Sequence, residues 1–177
     1  MPKDKPLITS TTKVADLLKS YPELEDVLIA MAPPFKKLKN PVLRRSVAKL
    51  ATLQQAAAVA HIPISQVLND LRAAVGQAPP EANEHVEETD YFGNQPDWFD
   101  RTRIVMSLNE REIEKDKMPI NKVLKEGARL REGDILELVT TFLPAPGIDV
   151  MKSKGFVVWT VQETPELVKT YFSKTGE

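Results

Sequence analysis

Arg131-Glu132-Gly133-Asp134-Ile135-Leu136-Glu137-Leu138-Val139-Thr140-Thr141-Phe142 is a turn followed by a branched, strand-forming run, and its reading decides the fold of the C-terminal half. Gly133 and Asp134 are turn formers, and Ile135 to Phe142 carry the residue types of a sheet strand. Upstream, Pro119 opens a stretch with Ile120, Val123, Leu124 and Ala128 at helical spacing. Before it, Arg103-Ile104-Val105-Met106-Ser107-Leu108 has the pattern of another strand. Downstream, Pro144-Ala145-Pro146-Gly147 breaks the chain, Ile148 to Lys154 form a short helix, and Phe156 to Val161 form a strand. Past Pro165, Leu167 to Phe172 form the last strand. The order β-α-β-α-β-β predicts a two-layer sandwich, an open mixed sheet with helices on one face.

Charge divides the remainder. Residues 1–77 hold 11 Lys+Arg against 6 Asp+Glu, whereas residues 78–100 hold 7 acidic residues and no Lys or Arg. Residues 101–177 are close to neutral, with 13 basic and 12 acidic side chains. Ala78-Pro79-Pro80-Glu81-Ala82-Asn83-Glu84 has no periodic apolar face and reads as a linker. Its end, Tyr91-Phe92-Gly93-Asn94-Gln95-Pro96-Asp97-Trp98-Phe99, gathers aromatics and is expected to dock onto a domain. The expected organisation is a basic helical domain over 1–77, an acidic linker with an aromatic docking segment over 78–100, and an α/β domain over 101–177. The fold class is therefore α plus α/β in two domains.

Periodicity within 1–77 predicts a bundle of about five short helices. Thr11-Thr12 offers hydroxyl caps ahead of Val14, Leu17 and Leu18. Pro22 opens a second helix with Glu23, Glu25 and Asp26 near its positive end and Leu24, Val27 and Leu28 inward, ending before Pro33-Pro34. Asn40-Pro41 starts a third, with Val42, Leu43, Val47 and Leu50 inward and Arg44, Arg45 and Lys49 outward. Thr52-Leu53-Gln54-Gln55 fits a capping box for a fourth helix running to Ala60. Ser65 is read as the cap of a fifth, which holds Val67, Leu68, Leu71 and Val75 and stops at Gly76.

Two resemblances follow from these residues. Ile8, Val14-Ala15-Asp16-Leu17-Leu18, Tyr21-Pro22-Glu23, Val27-Leu28, Thr52-Leu53-Gln54-Gln55-Ala56-Ala57 and Val67-Leu68 together resemble the hybrid-cluster-protein-associated redox-disulfide domain. More distantly, they resemble the N-terminal domain of iron–sulfur cluster repair proteins. That family usually carries cysteines in the loop after its second helix, and here the loop reads Met31-Ala32-Pro33-Pro34-Phe35-Lys36-Lys37-Leu38-Lys39-Asn40-Pro41. Met118-Pro119-Ile120, Leu130-Arg131-Glu132-Gly133-Asp134 and Pro144-Ala145-Pro146 resemble the TusA/SirA-like family, and more closely a cysteine-poor branch of unknown function. Its sulfur-transfer members hold a Cys-Pro pair at a helix N-terminus, which stabilises a thiolate or persulfide. Met118 stands at that cysteine position, so the resemblance implies the fold without the sulfur relay.

A chain with no cysteine forms no disulfide, thiolate metal site, thiol nucleophile or persulfide carrier. The N-terminus lacks the apolar core of a signal peptide, and no apolar run approaches the length of a membrane span. A cytoplasmic protein without membrane contact is expected. His61 and His85 have no spaced partner, and Glu84, Glu87 and Glu88 around His85 read as solvated linker carboxylates. No phosphate loop, nucleophile elbow or zinc helix occurs, so no catalytic residue, cofactor or metal is expected.

Three candidate binding features remain. Met31 and Phe35 form an apolar tip beside Lys36, Lys37 and Lys39, with Arg44 and Arg45 following. This reads as core residues with solvated lysines, or as a docking patch for an acidic partner or for the chain's own acidic linker. Met118, Pro119 and Lys122 mark a helix start that can hold a small anion, and Trp98 belongs to the aromatic segment. Residues 52–74 also have the length of a helix-turn-helix, which would make the chain a DNA-binding regulator with phosphate contacts from Lys36 to Lys49. An enzyme site formed only between domains is a third possibility. A non-catalytic adaptor or regulatory protein with a protein partner is expected ahead of nucleic acid, and the resemblances imply a bacterial setting in sulfur, iron–sulfur or nitrogen-oxide metabolism.

Overall fold

A computed structural model of the chain describes residues 5–46, 48–81, 90–113 and 119–175. It divides into two compact units, Met1–Asp90 and Tyr91–Glu177.

The first unit is helical. α1 (Val14–Ser20) buries Val14, Leu17 and Leu18 on one stripe. The expected hydroxyl cap is not what starts it: Lys13 is the N-cap and contributes no side-chain bond. The N–H groups of Val14 and Ala15 instead reach the carbonyls of Ala51 and Ala48, at 2.9 Å each. A distant loop thus satisfies donors that a cap would otherwise take, and the Thr12 hydroxyl closes its own turn by accepting from Thr9 N at 2.9 Å. α2 (Leu24–Met31) ends at Ala32, which turns extended before Pro33. The following loop is ordered as a 3-10 helix, Pro33–Lys39, because two prolines pre-set helical φ where no N–H is needed.

α3 (Pro41–Ser46) comes next. Leu50, expected on its inner face, lies past its end and is 42% exposed, while Val47 lies outside the described residues. α4 (Leu53–Ala60) carries the capping box, with Gln55 N donating to the Thr52 hydroxyl and Thr52 N to the Gln55 side chain. α5 (Ile64–Ala74) starts after Pro63, two residues earlier than a Ser65 cap would place it. Its end is a Schellman turn: Gln77 N reaches Arg72 O at 2.8 Å and Gly76 N reaches Ala73 O at 3.3 Å. Gly76 takes the positive φ of 72° that this turn demands.

That turn delivers Gln77 to a polar knot. Its carboxamide accepts from Ile8 N at 3.0 Å and donates to Pro6 O at 3.1 Å and to the Tyr21 hydroxyl at 2.7 Å. Tyr21 donates in turn to Pro6 O at 2.8 Å. Arg72 is only 2% exposed and donates from Nε to Ile8 O at 2.8 Å. The N-terminal segment is therefore tied to the far end of α5, above a core of Leu17, Leu24, Leu28, Leu53, Leu68 and Leu71.

The second unit is a mixed α/β domain, so the chain as a whole joins helices with a mixed four-stranded sheet. Its elements are β1 (Ile104–Asn109), α6 (Pro119–Gly127), β2 (Ile135–Thr140), α7 (Ala145–Ser153), β3 (Phe156–Thr164) and β4 (Leu167–Lys174). The sheet order is β1-β2-β4-β3, with β1 parallel to β2 and the other pairs antiparallel. α7 starts at Ala145, three residues before the expected Ile148, because Pro146 suits a first helical turn. Gly147 belongs to that turn for a tertiary reason: a Cβ there would stand 2.9 Å from Ile120 Cδ1 of α6. Gly133 holds the turn before β2 at φ 81°, against the Arg103 guanidinium.

Candidate functional site

The 3-10 helix explains how the basic loop is presented. At three residues per turn, side chains i and i+3 eclipse. Phe35 and Leu38 share the inner row, Phe35 being 6% exposed and part of the core while Leu38 packs against it. Lys36 and Lys39 share the outer, exposed row. Met31 and Lys37 are half-buried, and Met31 packs on the same core, so the apolar tip anchors the loop and faces inward. Arg44 pairs with Glu25 at 2.8 Å, and Arg45 is exposed. The outward charge of this rim is thus Lys36, Lys39 and Arg45.

α4, the turn at His61 and α5 place the helix-turn-helix-like unit. His61 adopts φ 55°, a conformation that usually selects glycine. The exposed side of α5 shows Ser65, Gln66, Asn69 and Asp70, whereas Arg72 is buried in the knot described above. A cleft of about 310 Å³ lies along this turn, lined by Gln54, Ala57, His61, Ile62, Ile64 and Asp90.

In the second unit, Pro119 is half-buried and Lys122 exposed at the start of α6, while Met118 lies outside the described residues. So do His85, Glu84, Glu87 and Glu88. Among the described residues no cluster of three or more His, Asp or Glu could hold a metal ion, and no helix is long and apolar enough to cross a membrane.

The aromatic segment packs onto its own unit. Tyr91 donates to Asp149 Oδ2 at 2.7 Å, Phe92 bridges to Thr160 on the outer side of β3, and Trp159 Nε1 donates to Gly93 O at 2.9 Å. Phe99 is buried 4.6 Å from the ring centres of both Trp159 and Tyr171, and half-buried Trp98 meets it edge-on at 6.3 Å. Such edge and offset contacts are the preferred aromatic geometries. Next to this cluster, Glu137 accepts from the Ser107 hydroxyl at 2.7 Å and faces Tyr171 across the β2–β4 register. Burial, followed by the negative charge and hydrogen bond of Glu137, pushes the Tyr171 hydroxyl up to about 12. It therefore serves as a neutral donor near pH 7 and has no tendency to act as a base.

Reasoning along the sequence did not single out Ser107, Glu137, Trp159 or Tyr171, which come from four different strands. The one local hint is Glu137, a charged residue within the apolar run of β2.

Comparison with known proteins adds one family. The family model described as a domain of unknown function (DUF1858) matches residues 8–68, so the N-terminal unit is similar to that family. No curated protein and no solved structure matches the chain.

Proposed function

We propose that the chain is a non-catalytic adaptor or regulatory binding protein that works in the bacterial cytoplasm, near sulfur, iron–sulfur or nitrogen-oxide metabolism. The observation that carries this reading is the basic rim of the first unit. Phe35 and Leu38 hold the 3-10 turn against the core, so that Lys36 and Lys39 share its exposed row, and Arg45 is exposed on the following helix. An anchored turn spares the cost of ordering its backbone on binding, and its cations steer an acidic protein surface toward them. The second unit is read as a TusA/SirA-like domain. The element order β-α-β-α-β-β and the mixed sheet support that reading, and the methionine at position 118 removes the thiol that sulfur transfer requires.

Recognition of DNA through residues 52–74 is the second reading. The pairing of α4 and α5 across a short turn favours it. The exposed side of α5 weighs against it, since Asp70 stands there and Arg72 is turned inward.

The test is capture from the native host at low and high salt, using the full chain and a K36E/K39E/R45E variant. Specific recovery of a protein partner by the wild type, lost in the variant and weakened by salt, is the expected result. Recovery of nucleic acid alone would move the assignment to DNA binding. An unchanged protein partner in the variant would remove the rim from the proposal.

A further inference from the structure

β1 and β3 are the two outer strands of the sheet. The outer side of β3 is engaged by Phe92 and Gly93. β1 differs: among the described residues no segment pairs with its outer side. Its sequence, Ile104-Val105-Met106-Ser107-Leu108-Asn109, contains no proline and no charge, Val105 is 57% exposed, and Ser107 is exposed too. Outer strands are ordinarily blunted by lysine, proline or inward charge, and a bare apolar one is a template for another strand. It does carry one blunting device, a bulge at Val105 where the register shifts between Ile104 and Met106, and the strand from Met106 to Asn109 runs regularly beyond it.

We propose that β1 pairs antiparallel with β1 of a second copy of this chain, joining two four-stranded sheets into one of eight. The flanks of the strand select that occupant. On the N-terminal side stand Arg101 and Arg103, together with Asp100, whose carboxylate is turned onto Thr102 N and Oγ1. On the C-terminal side stand Glu110 and Glu112 around Arg111, and Glu110 already accepts from Thr141 N at 2.7 Å. Antiparallel pairing of the two copies, with one residue of the strand facing its own counterpart at the two-fold axis, brings the net-positive flank of each copy beside the net-negative flank of the other. Parallel pairing would set like flanks together, which is unfavourable. Arg101 and Glu112 are exposed opposite charges on opposite flanks, and exchanging them tests whether the flanks meet.

Sedimentation velocity on the full chain across a concentration series tests this. A concentration-dependent dimer is expected. Val105→Lys, at a side chain already in water, should leave tryptophan fluorescence unchanged and weaken association by about tenfold or more. R101E and E112R should each weaken it as well, and an equimolar mixture of the two should restore a heterodimer. A monomer at every concentration would overturn the proposal. So would a dimer indifferent to V105K, a mixture that fails to recover, or an edge occupied by a different protein.

Discussion

Thr160 and Thr170 are opposed on β3 and β4, 1% and 0% exposed, and neither hydroxyl has a hydrogen-bond partner among the described residues. A buried hydroxyl without a partner costs roughly 1–3 kcal/mol. Valine has the same shape and branching but carries a methyl group in place of the hydroxyl, and it suits a strand at least as well. Thr160→Val and Thr170→Val should therefore each stabilise the second unit by about 1 kcal/mol. For a unit of this size that corresponds to a rise in Tm of roughly 4–8 °C. The assay is direct, because both tryptophans, Trp98 and Trp159, belong to the second unit and report its unfolding separately from the first. Thr140 supplies the internal control: it is equally buried, but its hydroxyl donates to Phe142 O at 2.6 Å. Thr140→Val should consequently lose about 1 kcal/mol in the same tryptophan-monitored unfolding. The reasoning is refuted if either single variant at 160 or 170 loses stability as Thr140→Val does, since that is the signature of a hydrogen bond removed.

Gln77→Ala deletes three bonds of the polar knot and should destabilise the first unit by about 1–3 kcal/mol. Amide exchange at Ile8 should accelerate with it, and unchanged protection there would show that the segment is held by other contacts. Thr52→Ala breaks the capping box and should cost roughly 1 kcal/mol by thermal unfolding followed with circular dichroism at 222 nm, an equal Tm counting against it. Tyr171 holds its proton up to about pH 12 in the folded state and to about pH 10 once unfolded. Its contribution to stability is therefore complete below pH 10 and is lost as pH rises toward 12. In an alkaline absorbance titration the latest-ionising tyrosine should disappear in Tyr171→Phe, and its persistence would assign the late step elsewhere.

Much of this architecture is legible along the chain, because it rests on short-range chemistry. The Thr52/Gln55 box and the Gly76 stop each need only residues within one or two turns, and the order of strands and helices follows from runs of matching periodicity. The loss of thiol chemistry follows from composition alone. The candidate rim was half legible: the lysines after Pro34 are evident, but only the three-residue period of the 3-10 turn decides that Phe35 points inward while Lys36 and Lys39 point out.

The remainder depends on segments far apart in sequence. α1 needs no hydroxyl cap because the carbonyls of Ala48 and Ala51 arrive from another loop. α7 accommodates Gly147 because Ile120 of α6 lies against it, and Arg72 leaves the surface because Ile8 O, 64 residues away, waits in the interior. Ser107, Glu137, Trp159 and Tyr171 become neighbours only when β1, β2, β3 and β4 assemble. The sequence by itself therefore determined which elements form and which chemistry is excluded, since propensity, capping and composition act locally. Which polar groups meet, and which strand edge is left bare, was decided by tertiary structure, because strand pairing and burial are set by partners that local sequence does not name.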